Sequence, residues 1–154
     1  MLSRLFPKQI DNAYRGHWLA IWLLALVVLM KAVQGVESIV NTRSVISGAD
    51  GISLAAFSAS GADLFMSLFA LLGLYLLIVP LLSGLVLIRY RAMIPIMYLM
   101  LLLLYGGSRL VQLLHPVVRA DARPVGFYVN LIILALTLIG FGLSLLNTRP
   151  GPQS

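Results

Sequence analysis

Three ionisable side chains lie within stretches that are otherwise almost wholly apolar: Lys31, Glu37 and Arg109. A charged side chain is costly to place inside a membrane, so it normally bonds to another protein group or belongs to a site for a ligand, an ion or a proton. Lysine and arginine can hold an anion, and a carboxylate can pair with either of them. These residues are therefore the first candidates for a site.

Each of them belongs to a polar stripe along a predicted helix. The stripe on the third predicted helix spans about 60° of arc and consists of Tyr98, Tyr105, Arg109 and Gln112. The stripe on the first spans about 120° and consists of Lys31, Gln34, Glu37, Ser38 and Asn41. At about 1.5 Å per residue, Arg109 and Glu37 lie roughly 25 Å and 28 Å from the cytoplasmic entry. This matching depth predicts that they pair if the two helices are neighbours.

The predicted pair has two interpretations, which the sequence leaves open. Glu37 and Arg109 can form an interhelical clamp that fixes helix register, or they can be part of a ligand or ion site. Lys31 is six residues from Glu37, which is not the spacing of a helical ion pair, so Lys31 does not replace Arg109 as the partner. The candidate intramembrane polar cluster comprises Lys31, Gln34, Glu37, Tyr105, Arg109 and Gln112.

The composition indicates an integral membrane protein. Of the 154 residues, 60% are hydrophobic and only 10% are charged, far from the balance of a soluble domain. The absence of cysteine excludes disulfides, thiolate metal sites and thiol redox chemistry. His17 and His115 fall at opposite membrane faces and so cannot share a haem. We find no catalytic residues, cofactor site or metal site, and we expect no enzymatic activity.

Hydropathy and helix-boundary signals predict four membrane-spanning helices at about 18–40, 61–88, 92–114 and 125–146. Residues 1–17 form an interfacial segment, and residues 147–154 form a polar tail. Ser60 and Asp63 have capping-box spacing, which places the start of the second helix near Gly61. The predicted fold is an all-α, antiparallel four-helix transmembrane bundle. A signal peptide within residues 1–38 is disfavoured because no A-x-A cleavage site follows the apolar run.

The distribution of basic residues predicts the orientation. With four spans both termini share a side, which carries six basic residues: Arg4, Lys8, Arg15, Arg89, Arg91 and Arg149. The other side carries Arg43, Arg119 and Arg123. The positive-inside rule then places both termini in the cytoplasm, most simply of a bacterial cell. We expect Arg4, Lys8, Arg15, Arg89 and Arg91 to contact anionic lipid there, whereas the scattered positions of the basic residues argue against a nucleic-acid partner.

The fourth predicted helix has small and polar residues at a spacing close to seven. They are Asn130, Thr137, Gly140 and Ser144. Inside a membrane such residues let helices approach closely, so we interpret them as a packing seam.

These features favour a small non-enzymatic multi-pass membrane protein, an accessory or interaction module that forms a homo-oligomer or binds a membrane protein partner. The layout of four spans in a short chain, with one acidic residue in the first, is similar to that of the small multidrug-resistance transporters. That resemblance implies a dimeric transporter in which Glu37 takes part in proton-linked uptake. A third hypothesis is an enzyme or binding protein for lipid, in which Lys31, Glu37, Arg109 and Gln112 hold an anionic head group.

Overall fold

The computed structural model describes Leu5, Pro7, residues 10–116 and residues 124–146. Within these residues lie four long helices and no strand: α1 (Trp18–Val40), α2 (Ala59–Arg89), α3 (Ile94–Leu114) and α4 (Val125–Leu145). Each is long and apolar enough to span a membrane. The prediction of an all-helical fold with four helices able to span a membrane is thereby confirmed.

The first two helices, α1 and α2, begin at side-chain caps. The His17 ring nitrogen Nδ1 accepts a hydrogen bond from the Leu19 amide at 3.2 Å, which satisfies one of the free amides at the start of α1. At the start of α2, Ser58 Oγ accepts from the Gly61 amide at 3.2 Å. The predicted capping box of Ser60 and Asp63 is therefore wrong, because Ser58 is the cap and the helix begins two residues before Gly61, at Ala59.

The connection between α1 and α2 is folded rather than extended. It comprises a helical turn at Thr42–Ser44, a π-helical turn at Val45–Ala49 and a 3-10 turn at Leu54–Ala56. Gly51 has φ 66°, a left-handed conformation that glycine adopts without a steric penalty. This connection folds against the beginning of α4, where Gly126 lies against the carbonyl oxygen of Ala49.

α1 is the central helix of the packing. Its most extensive contact is with α2, and it also packs along α4, whereas α3 packs mainly against α4. The shared core contains large side chains that are fully or almost fully buried: Leu24, Val27, Ile94, Tyr98, Leu101 and Ile133. The direct contact between α1 and α3 is small and includes the hydrogen bond from the Tyr98 hydroxyl to the Ala20 carbonyl, whereas α4 packs against both helices.

One end of the structure, which we call the His17 end, is closed by the N-terminal segment. The Ala92 amide donates to the Asp11 carbonyl, and the His17 amide donates to the Leu143 carbonyl, both at 3.2 Å. The Tyr14 hydroxyl donates to the His17 carbonyl at 3.1 Å, and burial raises the pKa of Tyr14 to about 12, so it stays a neutral donor. The opposite end, where Asp50 meets Gly126, we call the Asp50 end.

Several predicted lipid-contacting residues lie at the His17 end. Arg15 pairs with Asp11 at 3.3 Å, and Arg91 donates through Nε to the Leu87 carbonyl at 2.9 Å. Arg89 is exposed. Arg4 and Lys8 lie outside the described residues.

Candidate functional site

Lys31 is the centre of a polar network inside the helix bundle. Its ammonium Nζ donates to Gln34 Oε1 and to Asn130 Oδ1, each at 2.8 Å. It also lies 4.6 Å from the centroid of the Tyr105 ring, within the range of a cation–π interaction. The network thus joins α1 to both α4 and α3.

The sequence of α1 explains why Lys31 cannot avoid the interior. The buried residues of this helix recur every three or four positions and therefore share one face: Ala20, Leu24, Val27, Lys31, Gly35 and Ser38. Lys31 is only 9% exposed. Because a buried ammonium that lacks partners is very costly, the bundle has to supply acceptors at this depth.

Arg109 forms a second group beside this network. Its guanidinium donates to Gln112 Oε1 and to the Phe127 carbonyl oxygen, each at 3.2 Å. The Phe127 ring lies 4.8 Å from the guanidinium carbon. Arg109 therefore links α3 to the first turn of α4 through both a hydrogen bond and a cation–π contact.

The expected pair of Glu37 and Arg109 does not form. The Glu37 carboxylate accepts instead from Asn41 Nδ2 at 2.6 Å, and among the described residues the one ion pair is Arg15 with Asp11. Glu37 is exposed, lying between the buried residues Gly35 and Ser38 in sequence but outside the face they share. Matching depth allows Glu37 and Arg109 to pair only if their helices are neighbours at that level. In the structure α4 occupies the position next to Arg109.

A carboxylate that the sequence reasoning did not assign to the site contributes to its electrostatics. Asp50 attracts the Lys31 ammonium, whereas Arg109 repels it. A side chain at Gly126 would come within 3.2 Å of the Asp50 carboxylate oxygen, so this carboxylate lies at the N-terminal end of α4, where a helix favours negative charge. The dipeptide of Asp50 and Gly51 is typical of a turn, and spacing along the chain gives no sign of this tertiary contact.

The structure separates the predicted cluster into distinct parts. Lys31, Gln34 and Tyr105 come together, Arg109 and Gln112 form the neighbouring group, and Glu37 stands apart. The acceptor Asn130 was assigned to the packing seam alone. The sequence did contain a signal for its role. Asn130 is an amide one to two turns inside α4, at a depth from the helix end that resembles that of Arg109.

The other predicted seam residues lie on the interior side of α4. Thr137 and Ser144 are buried and donate within their own helix, to the Ile133 and Phe141 carbonyls at 2.6 and 2.7 Å. Gly140 lies against the Tyr98 ring, where a side chain would collide with it. Tyr98 in turn donates to the Ala20 carbonyl at 2.6 Å, so this part of α4 leaves room for the tyrosine that joins α3 to α1.

The chemistry available to the network is that of holding and positioning charge. Lys31 is bonded to two amide oxygens, which are not bases that can accept its proton at neutral pH. Within residues 10–116 and 124–146 no group of three or more histidine, cysteine or acidic side chains could hold a metal ion. The arrangement therefore suits helix association and charge stabilisation.

Comparison of the chain with models of protein families, with curated proteins and with solved structures finds no match in any of the three. The function therefore has to be argued from the residues and their contacts.

Proposed function

We propose that the protein is a small non-enzymatic membrane module that works by associating with a second copy of itself through α3. In this proposal the four spans are antiparallel, both termini lie in the cytoplasm, and the membrane is the bacterial cytoplasmic membrane. The observation that carries the proposal is the outward face of α3 at Gly106 and Gly107.

Both glycines are exposed, and a side chain at either would meet no other atom within 4 Å. The adjoining exposed positions carry large aliphatic residues, such as Leu103 and Leu110, which are 60% and 58% exposed. Two glycines in the middle of a lipid-facing helix lower its stability and bury nothing in the monomer. They do allow a second helix to approach closely, which is how transmembrane helices associate without a hydrophobic driving force.

The inner face of α3 supports this assignment because it fixes the rotation of the helix. Tyr105 contacts Lys31, and Arg109 is bonded to the carbonyl of Phe127. With these two side chains held inward, Gly106 and Gly107 are held on the surface. Because these contacts fix the rotation of α3, every copy would expose the same face of this helix, as a two-fold symmetric contact requires.

Charge supports the proposed orientation. The His17 end carries Arg15, Arg89 and Arg91, while the Asp50 end carries Arg43 among the described residues. An excess of basic residues favours the cytoplasmic side, where they would meet anionic lipid.

The contacts of Glu37 and Lys31 argue against the alternative of a small transporter. Transport by analogy with the small multidrug-resistance transporters needs Glu37 on a path shared with the other polar groups. Glu37 is exposed and bonded to Asn41, away from Lys31 and Arg109. A ligand site at Lys31 would also have to displace its bonds to Gln34 and Asn130.

Cysteine crosslinking in native membranes tests the proposal, since the chain has no cysteine of its own. Gly107→Cys is expected to form a disulfide-linked dimer under mild oxidation. Val33→Cys is the matched control, because Val33 is 53% exposed and lies at a similar distance from the end of its helix. Equal crosslinking of the two variants, or none at Gly107→Cys, would overturn the proposal.

A second experiment separates association from folding. Gly107→Leu is expected to lower the dimer association constant by about tenfold, which corresponds to about 1.4 kcal/mol, while the helical content of the monomer stays unchanged. Gly142→Leu replaces another exposed glycine with open space around it, on α4, and should leave association unaltered. The dimer fraction is measured by energy transfer between labelled copies in vesicles.

A further inference from the structure

A groove opens at the Asp50 end, between the end of α1 and α2. Its volume is about 590 Å³, and its walls come from the end of α1 with the turn that follows it and from the second and third turns of α2. Val40 and Met66 provide apolar surface, whereas Arg43, Asp63 and Ser67 provide polar groups. The groove therefore combines apolar surface and polar groups in one open space.

The two charges in the groove have opposite sign and do not pair with each other. No ion pair joins Arg43 to Asp63, although both belong to the described part of the chain. Both side chains are exposed. Because Ser58 caps α2, Asp63 is not engaged at the helix start. The groove thus holds one cation and one anion, and the side-chain nitrogens of Arg43 lie more than 4.0 Å from the carboxylate oxygens of Asp63.

In a bilayer spanned by α1 and α2, this groove would lie at the level of the lipid head groups. α1 ends at Val40, and Arg43 belongs to the short turn beyond it. One residue after Asp63 the lipid-facing surface of α2 begins, with Leu64 and Leu68 exposed by 62% and 56%. A molecule in the groove would therefore have its polar part beside Arg43 and Asp63 and its apolar part along Val40 and Met66.

We propose that this groove binds the head group of a phospholipid that carries a primary ammonium, as phosphatidylethanolamine does. The phosphate bonds to the Arg43 guanidinium, and the ammonium donates to the Asp63 carboxylate and to the Ser67 hydroxyl. The separation of charges matches a head group that is itself zwitterionic. A soluble zwitterion of the same chemistry would lack the acyl chains that lie along Met66.

The proposed contacts distinguish between lipid classes. A choline head group has the same charges but no N–H to donate to Asp63. A glycerol head group has the phosphate without any cation. The expected order of binding is ethanolamine, then choline, then glycerol. Asp63 decides both preferences, through an N–H bond to ethanolamine and through attraction of the choline cation, whereas Arg43 binds the phosphate of all three.

The test is lipid retention by the full chain. The protein is purified from nanodiscs that contain equal amounts of phosphatidylethanolamine, phosphatidylcholine and phosphatidylglycerol, and retained lipid is counted by native mass spectrometry. We expect about fivefold enrichment of the ethanolamine lipid, the range of an exposed charged contact. Asp63→Asn should abolish that enrichment, and Arg43→Gln should reduce retention of all three lipids.

His115→Gln serves as the control, since His115 is an exposed polar side chain at the same end of the molecule, directly after α3 and outside the groove. It should leave the lipid order unchanged. Equal retention of the ethanolamine and choline lipids by the unmodified chain, or an ethanolamine enrichment that survives Asp63→Asn, would overturn the proposal. Retention of ethanolamine phosphate without acyl chains would assign the groove to a soluble ligand and would overturn it as well.

Discussion

At the residue scale, the buried lysine of this chain is stabilised by side-chain amides. Lys31 is bonded to the side-chain oxygens of Gln34 and Asn130 and faces the Tyr105 ring. Amide oxygens stabilise the charged form of lysine without adding a second charge that would itself need to be desolvated. An ion pair at the same depth would have required two buried ions.

We expect Asn130→Leu to destabilise the protein by about 1–3 kcal/mol, because it removes an acceptor from a buried charge. In the background of Lys31→Met, which removes that charge, the same change should cost less than half as much. The measurement is a double-mutant cycle by reversible unfolding in mixed detergent micelles.

Glu37→Gln is the control for this cycle. Since Glu37 is exposed and bonded only to Asn41 among the described residues, its loss should alter stability by no more than about 0.5 kcal/mol. Strict additivity of Lys31→Met and Asn130→Leu would show that the contact between them contributes nothing.

Which residues need partners was predictable from the sequence, but which residues supply them was not. Lys31 and Arg109 stand out in any hydropathy profile, and their stripes follow from helical periodicity. The partner depends on which helices are neighbours, and that is decided by packing over the whole bundle. Asn130 and the Phe127 carbonyl were missed for this reason, and Glu37 was assigned to Arg109 wrongly.

At the element scale, the contact between α1 and α2 depends on the close approach of two glycines. A side chain at Gly73 would lie 2.8 Å from Ser38 Cβ and 3.2 Å from the Gly35 carbonyl oxygen. Both neighbouring atoms are on or next to the backbone, so neither can move away without a shift of the helix. The two helices are thus held at a distance that only glycine permits.

We expect Gly73→Ala to destabilise the protein by about 1–3 kcal/mol, the usual cost of overpacking. Gly84→Ala lies on the same helix, where a side chain would meet nothing within 4 Å, and it should be neutral or stabilising by up to about 1 kcal/mol. Thermal unfolding in detergent compares the two variants. A Gly73→Ala protein as stable as the Gly84→Ala protein would contradict the packing described above.

Helix existence was easier to predict than helix starts. The apolar runs of α1 to α4 leave little freedom in a membrane, where the backbone has to satisfy its own hydrogen bonds. The start of α2 was predicted near Gly61 because Ser60 and Asp63 have capping spacing, yet Ser58 is the cap. Either serine can cap a helix through its hydroxyl, and only Ser60 has an acidic residue three positions later, so the local signal favoured the wrong serine.

At the scale of the whole molecule, the charges at the two ends predict how the protein sits in the membrane. We expect Ser53→Cys, in the connection after α1, to react with a membrane-impermeant maleimide added to intact cells. Arg89→Cys should react only after permeabilisation. Both residues are exposed, so the difference reports sidedness, and the opposite labelling pattern would show that the termini face outward.

The bond between Lys31 and Asn130 also has a consequence for synthesis. The two residues are 99 positions apart, and at about 5–20 residues per second their appearance is separated by roughly 5–20 s. During that interval Gln34, three residues away on the same helix, is already present as an acceptor. Gln34 can therefore accept a hydrogen bond from the ammonium before the fourth helix has been made.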